Sequence, residues 1–182
     1  MPTHQLAGKV LLLNLIHFTV SAIYTGCATG CIFSLKSRGY PLLLSLEIIL
    51  MQIEELKKLA SQVRRDIVRM VHAVQSGHPG GSLGCTEYMV ALYNHMMEYN
   101  SASFDMDGKN EDIFFLSNGH ISPVFYSVLA RSGYFPIKEL KTFRKINSRL
   151  QGHPTTHEGL PGVRVASGSL GQGMSVAIGA AL

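Results

Sequence analysis

Three histidines share one local setting: Gly77-His78-Pro79, Gly119-His120 and Gly152-His153-Pro154 each place an imidazole directly after a glycine. Composition alone would give about one Gly-His pair in such a chain. An imidazole donates to phosphate or hydroxyl oxygens and changes protonation near neutral pH, so it suits anion binding and proton transfer. The prolines after His78 and His153 hold those residues in extended backbone and remove the next donor. A fourth stretch, Gly168-Ser169-Leu170-Gly171-Gln172-Gly173, is a glycine-rich turn that opens onto the small and apolar residues Met174–Leu182. Its glycines let backbone approach a ligand without Cβ clashes, and the free N–H groups of a new helix favour an anion. Read together, the four stretches point to one pocket in which imidazoles 78, 120 and 153 meet beside the bend at 168–173. Read singly, each histidine is a structural or surface residue, and the turn is a loop packing a helix on a sheet.

Competing chemistries are weaker. His153-Pro154-Thr155-Thr156-His157 has the i,i+4 spacing of a helical zinc pair, but Pro154 and the surrounding glycines argue against a helix. No Gly-Lys-Ser/Thr follows any glycine loop, which argues against a P-loop nucleotide site. Asp105-Met106-Asp107-Gly108 reads as an ordinary turn, because its glycine comes too early for a calcium loop and no Glu closes it. The net charge of +4 is mild. Lys138, Lys141, Arg144, Lys145 and Arg149 have largely helical spacing and read as a solvated helix face, so no nucleic-acid partner is expected. Cys27, Cys31 and Cys85 make neither a disulfide framework nor a metal set, and a reducing, cytoplasmic location is the expectation.

The elements that must position these loops follow from periodicity. Ile53, Leu56, Ala60, Val63, Ile67, Met70 and Val74 recur at three- and four-residue steps, predicting an amphipathic helix over 52–75. The glycines and Pro79 of 76–84 rule out its continuation. A second helix is expected over Cys85–Met97, with Tyr88, Leu92 and Met96 on one stripe. Asp112–Leu116 predicts a short strand, after which Ser122 as N-cap and Pro123 start a helix that ends near Gly133. Pro136–Lys145 predicts another helix, Val163–Ala166 a second strand, and Met174–Leu182 a last helix. This alternation predicts an α/β fold, a parallel sheet with flanking helices, incomplete at the C-terminus.

The 182 residues suit one domain, but the composition is uneven. Residues 1–46 contain no Asp or Glu, and 10–35 carry no Lys or Arg either. That apolar stretch exceeds the ~20 residues needed to span a bilayer. It reads as a membrane span, as a secretory signal, or as part of an extension 1–50 that lies outside a functional chain starting at Met51. The expected organisation is therefore an N-terminal extension, 1–50, and a folded section, 51–182.

The motifs SGHPGGSLG (76–84), LSNGH (116–120), QGHP (151–154), LPGV (160–163) and GSLGQG (168–173) resemble, in order and spacing, the N-terminal diphosphate-binding domain of the transketolase family. The resemblance covers about Met51 to Leu182 and is closest to the form divided into two shorter polypeptides. It implies a partial thiamine diphosphate-binding fold, with thiamine diphosphate and magnesium or another divalent cation as cofactors. The implied reaction moves a two-carbon ketol unit from a ketose phosphate to an aldose phosphate, within the pentose phosphate pathway. The implied partners are sugar phosphates, a C-terminal transketolase section carrying the pyrimidine-binding domain, and a dimer of such halves. Carried over by motif, His78 and His153 are catalytic: His78 helps proton transfer at the substrate hydroxyls, and His153 binds the donor sugar near its reacting carbons. His120 approaches the diphosphate, and Gly168, Ser169, Leu170 and Gly171 bind the cofactor, with Gly168 and the Leu170 backbone meeting its aminopyrimidine ring.

Departures from the pattern carry expectations too. The family's metal motif, Gly-Asp-Gly followed later by Asn, should come after Leu182, so no metal ligand is assigned here. Ser169 stands where many full-length members have proline, and residues 1–50 match nothing in the family. The chain alone is expected to bind cofactor poorly and to be inactive. The rival readings are another thiamine diphosphate enzyme, of the deoxyxylulose-phosphate synthase kind, and a non-catalytic fragment tethered to a membrane through residues 10–35.

Overall fold

The computed structural model describes residues 10–13 and 42–182, with side-chain surroundings from Gln52 onward. Its elements are β1 (Val10–Leu13), α1 (Leu42–Val74), α2 (Pro79–Gly84), α3 (Thr86–Ala91), β2 (Ile113–Leu116), α4 (Ser122–Arg131) and α5 (Gln172–Ala181). Single π or 3-10 turns at Leu92–Met96, Gly119–Ile121 and Ile137–Thr142 connect them. The span and signal readings of 10–35 fall mainly on residues 14–41, which lie outside the described residues, and the expected boundary at Met51 falls within α1. No helix among the described residues is long and apolar enough to cross a membrane.

Two helices organise the core. Along α1, Ala60, Val63, Ile67 and Met70 are buried at steps of three and four, the face that its sequence predicts. Helix α4 is buried without a gap from Ser122 to Ala130, because α1, α2, α3 and the Ile137–Thr142 turn all pack around it. A polar tie fixes the α1–α4 crossing. Asp66, 7% exposed, accepts from Arg131 Nε at 2.6 Å and from the Ser127 hydroxyl at 2.9 Å. Removing both charges from water is costly, and this pair persists because its geometry and extra hydrogen bond compensate.

The sheet is smaller than expected. Among the described residues it comprises β1 and β2 alone, paired in parallel with Val10 opposite Ile113 and Leu13 opposite Leu116. The described residues are thus mostly helical, and a broad parallel sheet is not formed by them. Val163–Ala166, expected as a strand, is irregular. Leu160-Pro161-Gly162-Val163 is instead a turn, with Gly162 at φ +90° and the Val163 N–H donating to the Leu160 carbonyl at 3.2 Å. The next residue, Arg164, is drawn into a buried pair with Glu111 at 2.6 Å, so side chains rather than a ladder hold this segment.

Three other expectations shift. The glycine-rich 79–84 segment is itself helical, α2, since Pro79 sits in its first turn and no interior φ there is positive. The helix expected over Cys85–Met97 is α3 followed by a π turn, closed by the Met97 N–H donating to the Leu92 carbonyl at 2.9 Å. The widened turn shifts the inward face by one residue. Met97 is buried and Met96, placed on the apolar stripe by its spacing, is 64% exposed. The helix expected over Pro136–Lys145 shortens to the 3-10 turn, because Arg144 adopts φ +56°.

Candidate functional site

Each predicted loop hangs on one of these elements. His78 ends the connection from α1 to α2, and His120 lies in the 3-10 turn between β2 and α4. His153 sits on the segment after the Ile137–Thr142 turn. The Gly168–Gly173 bend leads into α5 through Gly171, at φ +92°, a conformation that side chains with a Cβ rarely adopt.

The structure brings the three imidazoles together. His120 is the middle ring, its centroid 4.9 Å from that of His78 and 4.7 Å from that of His153, both contacts edge-on. His78 is exposed, while His120 and His153 are half-buried. The bend lies against the same cluster. A Cβ on Gly168 would lie 3.3 Å from the His153 ring, and one on Gly119 would lie 2.5 Å from the Ser167 carbonyl oxygen. One on Gly173 would lie 2.6 Å from the Ser117 Cα, so α5 begins directly on the end of β2. Glycine at 119 and 173 is therefore the condition for loops 116–122 and 167–173 to touch. Ser169, Leu170 and Gly171 are exposed on the outer side of the bend, Leu170 by 70%.

Helix α4 supports the loop of His153 through two carbonyls. Ser122 donates its hydroxyl to the Gly152 carbonyl at 2.7 Å, and the Tyr126 hydroxyl donates to that of Gln151 at 2.9 Å. Burial holds the Tyr126 phenol well above its ordinary pKa, so it remains a donor. The Ser167 N–H donates to the Pro154 carbonyl at 3.1 Å, joining the third loop to the fourth.

Four buried polar atoms at this junction find no hydrogen-bond partner among the described residues: His120 Nδ1, His153 Nε2, Asn118 Oδ1 and the Ser167 hydroxyl. Orphaned buried groups cost free energy and call for an explanation, and their grouping here marks a place prepared for a polar ligand. Imidazole and hydroxyl donors beside a helix start suit an anion or a hydroxyl-bearing molecule. The His153 pKa is lowered, first by burial and then by the neighbouring His120, Arg144 and His78. A neutral imidazole that both donates and accepts is what proton movement at a hydroxyl needs. The residues present therefore fit the diphosphate of the cofactor implied by the motifs. Among the described residues no group of three or more His, Cys, Asp or Glu is placed to hold a metal ion.

Sequence reasoning missed several neighbours of the site. Ser122, read as an N-cap, makes no capping bond; Ile121 takes that position and Ser122 reaches the Gly152 carbonyl. Arg144, assigned to a solvated helix face, turns inward: its Nη1 donates to the Ser76 hydroxyl, and its guanidinium lies against Gly152. The chain has no helix at 144 to carry a face. Asn118 and Ser167 were signalled only by adjacency to Gly119 and Gly168. His72 and His95 are exposed, away from the cluster.

Comparison with known proteins gives the family. The family described as transketolase, thiamine diphosphate binding domain, matches residues 55–182. The transketolase of Buchnera aphidicola (Acyrthosiphon pisum strain) is 42% identical over 127 residues, covering 69% of this chain and 19% of its own length. That of Pongo abelii is 39% identical over 130 residues, covering 71% and 20%. Among solved structures, transketolase from Leishmania mexicana aligns with a TM-score of 0.60 at 38% identity, over 65% of this chain and 17% of that one. The Pichia stipitis transketolase complex with sedoheptulose-7-phosphate aligns with a TM-score of 0.61 at 38% identity, with the same coverage. The chain thus spans about a fifth of the length of the curated relatives it matches. With the glycine bend, the three imidazoles and the family match falling on the same residues, the chain belongs to the transketolase family, through its thiamine diphosphate binding domain.

Proposed function

We propose that this chain is the N-terminal section of a transketolase and takes part in moving a two-carbon ketol unit from a ketose phosphate to an aldose phosphate. The observation that carries the reading is the meeting of His78, His120 and His153 beside the Gly168 bend, with buried polar atoms there left unpaired. Thiamine diphosphate, when bound, supplies the electron sink for breaking and making the bond next to the ketose carbonyl.

The chain's own residues then have distinct tasks. His120, the half-buried middle ring, binds the diphosphate end, helped by the N–H groups at the start of α5. Gly168, Ser169, Leu170 and Gly171 form the cofactor's backing on the bend. His153, held by α4, binds the donor sugar near its reacting carbons. His78, the exposed ring, moves protons at the substrate hydroxyls.

The site needs more than this section. Leu170, Val176 and Ile178 are 70%, 40% and 50% exposed on the bend and α5. An apolar helix in that state is one that another protein surface covers. The proposed cover is a C-terminal transketolase section carrying the pyrimidine-binding domain, in a dimer of halves, and the divalent cation enters with the completed site. The section 51–182 is proposed as the functional unit, inactive alone.

Titration calorimetry of the chain with thiamine diphosphate and magnesium should show only weak binding. Adding polypeptide that supplies both the metal motif and the pyrimidine-binding domain should restore ketol transfer from xylulose 5-phosphate in a coupled assay. Tight cofactor binding by the chain alone would overturn the need for a second section. Activity of the assembly on pyruvate plus glyceraldehyde 3-phosphate, but not on xylulose 5-phosphate, would overturn the reaction.

A further inference from the structure

We propose that Arg144 is a positioning residue: one guanidinium that ties the two Gly-His-Pro loops together and sets the spacing of His78 and His153 about His120. Its Nη1 donates to the Ser76 hydroxyl, two residues before His78. On its other side it fills the space above Gly152, where a Cβ would lie 2.5 Å from Nε and 2.8 Å from Cζ. The glycine before His153 is thus explained by the guanidinium it must accommodate, and not by its own backbone angles.

The backbone is shaped to deliver this side chain. Arg144 sits at φ +56°, which a residue with a Cβ adopts only where its surroundings over-determine it. Its N–H donates to the Leu150 carbonyl at 2.8 Å, closing the loop 145–149. The buried Phe143 ring, 5.9 Å below its Cζ, packs beside Gly77, so floor and clamp meet the first loop together. A planar fork with several donors spans two loops in a way that a single ammonium cannot. The charged and titratable groups facing His153 are His120, Arg144 and His78, all of which disfavour its protonation in addition to burial.

The geometric inference is independent of cofactor, while its bearing on ketol transfer rests on the function proposed above. The test is histidine-ring NMR of the full chain as a function of pH, with ring-to-ring cross-peaks recorded for His78, His120 and His153. Arg144→Gln should raise the His153 midpoint and weaken the cross-peaks of His120 with both neighbours. Gly152→Ala, which expels the guanidinium while Arg144 remains, should give the same signature and serves if the first variant does not fold. Arg144→Lys should keep the low His153 midpoint but weaken the His78–His120 cross-peak, separating charge from bridging. Unchanged midpoints and cross-peaks in Arg144→Gln or Gly152→Ala would overturn the proposal, as would a lysine variant identical to the parent. Loss of cofactor binding in the assembled enzyme with these signatures intact would count against the ketol-transfer reading alone.

Discussion

Ser122 donates its hydroxyl to the Gly152 carbonyl at 2.7 Å, so the helix that follows His120 also holds the loop that carries His153. Two histidines distant in sequence are thereby referred to one rigid element. Ser122→Ala leaves that carbonyl without its partner and should cost about 1–2 kcal/mol. Thermal unfolding of the variant should show a lowered Tm, and an unchanged Tm would argue against this support.

The contact of Gly119 with Ser167 is backbone on backbone and cannot be relieved by a rotamer change. Gly119→Ala should therefore force loops 116–122 and 167–173 apart, at a cost of about 1–3 kcal/mol. Gly80, in α2, has open space where its Cβ would be. Gly80→Ala should be neutral or stabilising by up to about 1 kcal/mol. Equal effects of the two substitutions in urea titrations would contradict the close approach.

Asp66 joins α1 to α4 across 65 residues of sequence. Asp66→Ala strands Arg131, whose side chain is 16% exposed, as an uncompensated buried cation. The expected loss is about 3–5 kcal/mol, large against the stability of an ordinary domain. A shift below about 1 kcal/mol by denaturant unfolding would show the pair to be dispensable.

The lowered His153 pKa gives stability a sign with pH. Below the ordinary histidine value the unfolded chain binds this proton more readily than the folded one, so stability falls as pH drops from about 6.5. Its contribution is fully present above that value. Unfolding free energies measured from pH 5 to 8 should rise with pH, and His153→Asn should flatten part of the slope. A slope unaffected by that substitution would assign the dependence to other groups.

The sequence made some of this legible and hid the rest for physical reasons. The buried face of α1 follows from Ala60, Val63, Ile67 and Met70, and α4 from Ser122-Pro123 at its start, because local periodicity and proline chemistry decide them. The convergence of the Gly-His loops was readable as shared local chemistry. The π turn at Leu92–Met96 was not, since one inserted residue leaves the apolar pattern intact. Val163–Ala166 has strand composition, yet Arg164 is captured by Glu111, 53 residues earlier in the chain, a tertiary choice with no local signature. Arg144 was hidden by its lysine neighbours, which share its charge and not its turn geometry.

The central claim is that imidazoles 78, 120 and 153 and the bend at 168–173 form one ligand pocket. Two-dimensional NMR of the full chain, titrated with thiamine diphosphate and magnesium to millimolar excess, tests it directly. His120 and Gly168–Gly171 should move together along one binding curve, with His78 and His153 responding when a ketose phosphate is added to the assembly with a C-terminal section. Shifts confined to residues remote from these loops, or none at saturation of the assembled enzyme, would contradict the account.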